Sequence, residues 1–213
     1  GEYLLDVLAF RYEQEQAFKR HYEWVWHAFG ELELDGVVRG ELTHEAWSAT
    51  WRDPADHIGL RTHMLGSAPR GGTKVSVRDN AYGPYLRVLR GNFAEHFVAL
   101  HEPFRGEPSI DAVAALADAD GVAAVMVEDS GQFTDYLSVA FEAAEATVEA
   151  GPVRMLLEGK FGYIRVAGDT VTARGDFRGF RIPAEGVDRV ILNGRPVTFE
   201  AGDGTVAWGA AAR

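Results

Sequence analysis

Apolar and polar residues alternate with a period of two along most of this chain, and glycine or proline interrupts each alternating run. In "HYEWVWHAF" the positions of Tyr22, Trp24, Trp26 and Ala28 fall on one side of an extended strand. His21, Glu23, Val25, His27 and Phe29 fall on the other. "HIGLRTHML" repeats the pattern, setting Ile58, Leu60, Thr62 and Met64 against Arg61 and His63. Further strands are predicted over residues 3–10, 42–51, 74–77, 85–89, 97–101, 122–128 and 136–141. Short strands separated by turn residues predict an all-β chain built as an antiparallel β-sandwich.

The C-terminal part is the most explicit. "YIRVAGDTVTARG" predicts a hairpin turning at Gly168–Asp169, and "VDRVILNGRPVTF" another at Asn193–Gly194. Asn-Gly readily takes the positive φ angles that a two-residue hairpin turn needs. "AGDGTVAWG" adds one more strand, so a small antiparallel meander is expected after the sandwich. "SIDAVAALADAD" and "FEAAEATVEA" are alanine-rich, a composition that favours helix, yet their neighbours are strands. The first reads as a strand and the second stays open. The predicted organisation is a sandwich over residues 1–142 and a meander over residues 143–213.

Composition narrows the chemistry. A chain of 213 residues, 46% of them apolar, can bury a sizeable core. It has no cysteine, which excludes disulfides, thiolate metal sites and a cysteine nucleophile. No apolar run approaches the ~18 residues of a membrane span. Gly1 leads straight into "YLLDVLAF" with no basic leader, a start that reads as a cut end, so periplasmic, secreted and cytoplasmic locations all stay open. A net charge of −11 argues against nucleic acid as a partner and confines any polyanion to a local basic patch. Arginine supplies 18 of the 21 basic residues; its fork suits carboxylates and sulfates, although a compositional bias explains the same count.

The densest group of reactive side chains is "HFVALHEPFRGEP", residues 96–108. Val98 and Leu100 point to one face and Phe97 and Ala99 to the other, which predicts a central strand buried on both sides. Pro103, Gly106 and Pro108 then end it. Glu102, Arg105 and Glu107 are expected at the sheet edge, pairing with one another. The functional alternative sets His101 and Arg105 on a rim against a ligand. His21, Glu23 and His27 share a face, but the last two lie roughly 13 Å apart along a strand, too far for one ion. Trp24, Trp26, Trp47 and Trp51 could form a sugar-stacking platform; a packed core is the simpler reading. No G-x-S-x-G elbow, P-loop, G-x-G-x-x-G after a strand or H-E-x-x-H occurs.

In order, "YLLDVLAF", "HYEWVWH", "HIGLRTHMLG", "HFVALHEPFRGEPSI" and "VAAVMVE" resemble the C-terminal β-sandwich region of the heparinase II/III-like polysaccharide lyases. A strand of the type "FVAVxEPYRGEP" recurs in that family, and residues 97–108 match it nearly letter for letter. The resemblance covers about residues 3 to 141. It implies a parent enzyme that cleaves a uronate-containing acidic polysaccharide by β-elimination, with an N-terminal α/α toroid as the sandwich's partner. It also implies that the family's catalytic tyrosine, histidine and asparagine or arginine, and its structural zinc, lie upstream of residue 1. No catalytic residue, metal ligand or cofactor is therefore expected here; if the matching sandwich begins before residue 1, its missing strands are supplied by another chain, or sheet edges are left to be paired or covered, or the sheets close differently in a self-sufficient unit.

The expected function is that of a non-catalytic sandwich that supports the toroid and lines the substrate cleft. The candidate substrate contacts are His101, Arg105, Tyr82, Tyr85 and Arg87. One alternative is an independent carbohydrate-binding or adhesion module using Tyr82, Tyr85, Arg87 and Arg90. Another is a complete enzyme using His96, His101 and Glu102.

Overall fold

The structure is a computed structural model of the chain and describes residues 2–9, 22–65, 72–81, 83–90, 96–119, 121–141 and 145–212. Among these residues every extended element is a strand and the one helical turn is a short 3-10 segment, Ala210–Ala212. The fold is all-β, with antiparallel sheets in a sandwich-like packing. It divides into two compact units, Gly1–Ser109 and Ile110–Arg213.

The first unit holds β1 (Leu4–Ala9), β2 (Tyr22–His27), β3 (Glu31–Asp35), β4 (Leu42–Thr43), β5 (Trp47–Asp53), β6 (Ile58–Leu65), β7 (Thr73–Asn80), β8 (Gly83–Arg90) and β9 (His96–Arg105). They form a five-stranded sheet, β1-β9-β6-β5-β3, and a four-stranded sheet, β2-β8-β7-β4. The alternation read from the sequence decides which face of each turns inward. Trp47, Trp51, Met64 and Phe97 from the first sheet meet Trp24, Val75, Leu86 and Val88 from the second in one buried cluster. Each such large apolar side chain contributes ~1.5–3 kcal/mol on burial. The tryptophans are thus core, not a platform.

Polar ties supplement this packing. The Trp51 indole N–H donates to the Pro84 carbonyl at 3.4 Å, linking β5 to β8. Arg90, at the end of β8, is only 2% exposed. Its guanidinium donates to the carbonyls of His96 (2.6 Å) and Leu65 (3.2 Å) on the other sheet and to the Thr73 hydroxyl (3.2 Å). It also lies over the Phe97 ring at 4.8 Å. Arg90 is therefore a buried tie, unavailable to a glycan.

The second unit holds β10 (Ala112–Ala119), β11 (Val122–Asp129), β12 (Phe133–Ala140), β13 (Ala146–Ala150), β14 (Val153–Ala167), β15 (Thr170–Pro183), β16 (Arg189–Leu192), β17 (Arg195–Val197), β18 (Glu200–Gly202) and β19 (Thr205–Gly209). Both alanine-rich stretches contribute strands, β10 and β13. The sequence set a boundary at residues 142/143, but β12 pairs along its length with β14, from Thr134↔Val166 to Val139↔Phe161. Strands β10–β12 accordingly belong with the C-terminal part.

The β14–β15 hairpin serves two layers. Its turn-proximal half carries β12 on one side and β16 on the other; its far half carries β13 and β19. Val122, Tyr136 and Ile164 from one layer and Val148, Met155, Phe180 and Val206 from the other share one buried cluster. Between the halves the register shifts, and Gly175 adopts φ +118° opposite Gly162. A Cβ on Gly175 would lie 2.2 Å from the Phe161 carbonyl oxygen, so only glycine fits this bend. The Asn193 amide grips the same backbone, accepting from Gly175 N–H and donating to Gly175 C=O, both at 3.0 Å. Asn193 and Gly194 have φ 49° and 80°, the turn that the sequence predicts between β16 and β17.

One pairing departs from the expected meander: β15 and β16 run parallel, Thr170↔Arg189 to Ala173↔Leu192. The dozen or more residues of crossover that a parallel pair needs are supplied here by the far half of β15 and the following loop.

Replacing Gly175 by alanine is expected to cost ~2 kcal/mol or more through strain and the carbonyl clash. At Gly168 (φ 55°), where an added methyl meets open space, the same change should cost about 1 kcal/mol. Chemical denaturation of the two variants measures the difference.

Candidate functional site

β9 lies between β1 and β6, and every residue from His96 to Glu102 is buried. The central strand predicted from its two apolar faces is present. β1 ends its pairing opposite His101, so Pro103 falls where β6 is the strand's remaining neighbour and a missing N–H is tolerated.

His101 points into the sandwich and is not on a rim. It is 2% exposed, and its ring stacks on Trp26 at 4.1 Å between centroids. Nδ1 lies 2.9 Å from the Thr62 hydroxyl, and Nε2 is 3.9 Å from Asp6 Oδ2. Burial lowers its pKa from the usual 6.5, against a smaller opposing influence of Asp6. The neutral ring is the form this site favours.

Glu102 points to the opposite face and is also 2% exposed. Arg61 Nε and Nη2 hold one of its oxygens at 2.9 and 2.8 Å, and the Ser109 backbone N–H donates to the other at 2.6 Å. His63 Nε2 is 4.0 Å from the same carboxylate. Arg61, Glu102 and His63 come together because the register Arg61↔Glu102 and His63↔Leu100 places them on one face. Of the three, Arg61 and Glu102 form the ion pair, and each of these charges requires the other.

The remaining charges pair outward, not with one another as the sequence suggests. Arg52 binds Glu107 at 2.9 Å, and Arg105 donates to the Asp56 carbonyl at 3.4 Å, on the turn between β5 and β6. Arg105 is exposed but stands apart from His101.

Tyr85 and Arg87 project from β8 onto the outer face of the four-stranded sheet. Pairing sets His27 and Arg78 beside Tyr85, Val25 and Ser76 beside Arg87, and Lys74 beside Leu89. The Tyr85 ring stacks on His27 at 4.7 Å. Arg87 forms a forked pair with Glu23, one arm at 2.8 Å. Hydrogen bonding from Arg87, with the charges of Arg87 and Arg78 adding to it, holds the Glu23 carboxyl below its usual value. Glu23 and His27, weighed above as metal ligands, are thus engaged by Arg87 and Tyr85; His21 lies outside the described residues, as does Tyr82. Among the described residues no three histidine, aspartate or glutamate side chains converge as a metal site would require.

Lys74 and Arg78 were missed by the sequence reading. Their alternation with Thr73, Val75 and Val77 marks them as outward-facing, but only the β7–β8 register brings them to Tyr85 and Arg87. Among the described residues this sheet face sets three cations against one carboxylate, in a chain of net charge −11.

No helix among the described residues is long and apolar enough to cross a membrane, which says nothing of membrane β-barrels. No family model matches the chain, and no curated protein matches its sequence.

Two outcomes follow. Arg61→Ala strands a buried carboxylate and should destabilise the protein by ~3–5 kcal/mol, whereas joint replacement of Arg61 and Glu102 by apolar residues should recover most of that loss in a double-mutant cycle. His63 is pushed down to about 4 from 6.5, chiefly by burial and then by Arg61. The unfolded chain therefore binds a proton that the folded chain refuses, and stability declines as pH falls from about 6.5 to about 4. His63→Gln should flatten denaturation midpoints across that window.

Proposed function

We propose that this chain is the non-catalytic β-sandwich portion of a polysaccharide lyase acting on uronate-containing acidic polysaccharide, where it supports an α/α toroid and borders the substrate cleft. The resemblance in residues 97–108 suggests the family. The observation that carries the non-catalytic assignment is the engagement of the ionisable groups of β9. His101 is stacked and buried, and Glu102 is held by Arg61 and the Ser109 N–H. β-Elimination needs a base within reach of the proton α to the carboxylate and an acid beside the leaving oxygen. Groups sealed on opposite faces of one strand suit neither role.

Incubated alone with alginate, heparan sulfate or chondroitin sulfate, the chain is expected to give no ultraviolet absorbance from unsaturated uronate. Turnover that disappears in His101→Ala would overturn the proposal.

The outer face of the four-stranded sheet favours a second reading, a self-standing module for acidic glycans. Arg87, Arg78 and Lys74 would pair with carboxylates or sulfates, and the Tyr85–His27 pair would offer a ring face. On this reading, calorimetric titration with oligouronates gives saturable heat, and joint Arg78→Ala and Arg87→Ala substitution weakens binding by about tenfold per lost contact, ~1.4 kcal/mol each. An absence of heat leaves the supporting role alone.

A further inference from the structure

The β16–β17 turn carries an amide that can change chemically without an enzyme. Asn193 and Gly194 lie in the left-handed region, at φ 49° and 80°, and both are exposed. Asn193 is nevertheless fastened to β15. Its backbone N–H donates to the Ala173 carbonyl at 2.9 Å, and its side-chain amide accepts from and donates to Gly175, both at 3.0 Å. One amide thus joins an exposed turn to the residue at which the β14–β15 hairpin changes layers.

Asparagine followed by glycine is chemically unstable in water. The Gly194 backbone nitrogen, after giving its proton to hydroxide, attacks Asn193 Cγ. That C–N bond forms, the Cγ–Nδ2 bond breaks, and the departing nitrogen takes a proton from water and leaves as ammonia. Water then opens the cyclic imide at one carbonyl or the other, giving aspartate or isoaspartate, with no oxidant or cofactor consumed. Gly194 favours the attack because it has no side chain to crowd it; even a Cβ added there meets nothing within 4 Å. The fold opposes it, because the Asn193 amide must leave Gly175 before Cγ is free to turn to the Gly194 nitrogen.

We propose that Asn193 is a site of spontaneous deamidation whose rate is set by opening of the turn and whose product loosens the bend at Gly175. Nδ2–H donates to the Gly175 carbonyl; a carboxylate in its place sets an oxygen against that carbonyl with no proton between them. Isoaspartate adds a methylene to the backbone, which the Leu192↔Arg195 pairing across a two-residue turn does not accommodate. The turn as such tolerates an acid. Asp203 and Gly204 make the equivalent two-residue turn between β18 and β19, at φ 51° and 70°. What the product loses is the grip on Gly175. None of these residues enters the function proposed above.

The test follows the amide by peptide mass mapping while the chain is incubated at mildly alkaline pH, folded or in urea. Folding should slow loss of the Asn193 amide by about tenfold or more, the protection given by an opening free energy of about 1.4 kcal/mol. Folded Asp203→Asn places a second Asn-Gly pair in the same kind of turn without the grip on Gly175, and the new site should lose its amide faster than Asn193 does. Asn193→Asp, the direct product, should shift the unfolding equilibrium by roughly tenfold. It should also lower the denaturation midpoint more than Asn193→Gly, which frees the turn without setting an oxygen against the Gly175 carbonyl. If Asn193→Asp does not fold, hydrogen exchange at the Gly175 N–H is compared before and after incubation of the unaltered chain, and the deamidated fraction should exchange faster. Equal rates at Asn193 in the folded chain and in urea, a slower rate at the new site than at Asn193, or an unchanged midpoint in Asn193→Asp would each overturn the proposal.

Discussion

Both faces of β9 are shielded from water between His96 and Glu102, and this constraint governs what its ionisable side chains can do. A polar group in such a strand must find a partner or cost several kcal/mol. His101 meets Thr62 and the Trp26 ring on one face; Glu102 meets Arg61 and the Ser109 N–H on the other. Strand geometry sends adjacent residues to opposite sides, so the two most reactive neighbours in the sequence cannot act on one substrate atom. The polar side chains of the strand contribute to a folded core.

The two units solve the problem of facing sheets differently. In the first, separate sheets bring their own apolar faces, and Arg90 reaches across to backbone carbonyls of β6 and β9. In the second, one long hairpin enters both layers, and the bend is made at Gly175, gripped by the Asn193 amide. A guanidinium can span a gap between sheets because its several donors lie in one rigid plane. A hairpin can change layers only where a Cβ is dispensable.

Charge is distributed unevenly over this acidic chain. Among the described residues Lys74, Arg78 and Arg87 outnumber Glu23 on the outer face of the four-stranded sheet. Long-range repulsion from a net charge of −11 falls off over about a Debye length, ~8 Å at physiological ionic strength, so a local patch of either sign can still define its own ligand.

The sequence by itself determined the strand content, the inward face of most strands, the two-sided burial of β9 and the turn at Asn193–Gly194. These follow from the two-residue period of an extended backbone and from the φ preferences of Asn and Gly, both local properties. Tertiary structure decided the partners. It joined β10–β12 to β14 across the expected boundary, set β16 parallel to β15, matched Arg61 to Glu102, and gathered Lys74 and Arg78 beside Tyr85 and Arg87. An alternating strand fits many neighbours equally well; which one it takes depends on core packing and loop closure between residues far apart in the chain, and the period of two carries no record of that choice.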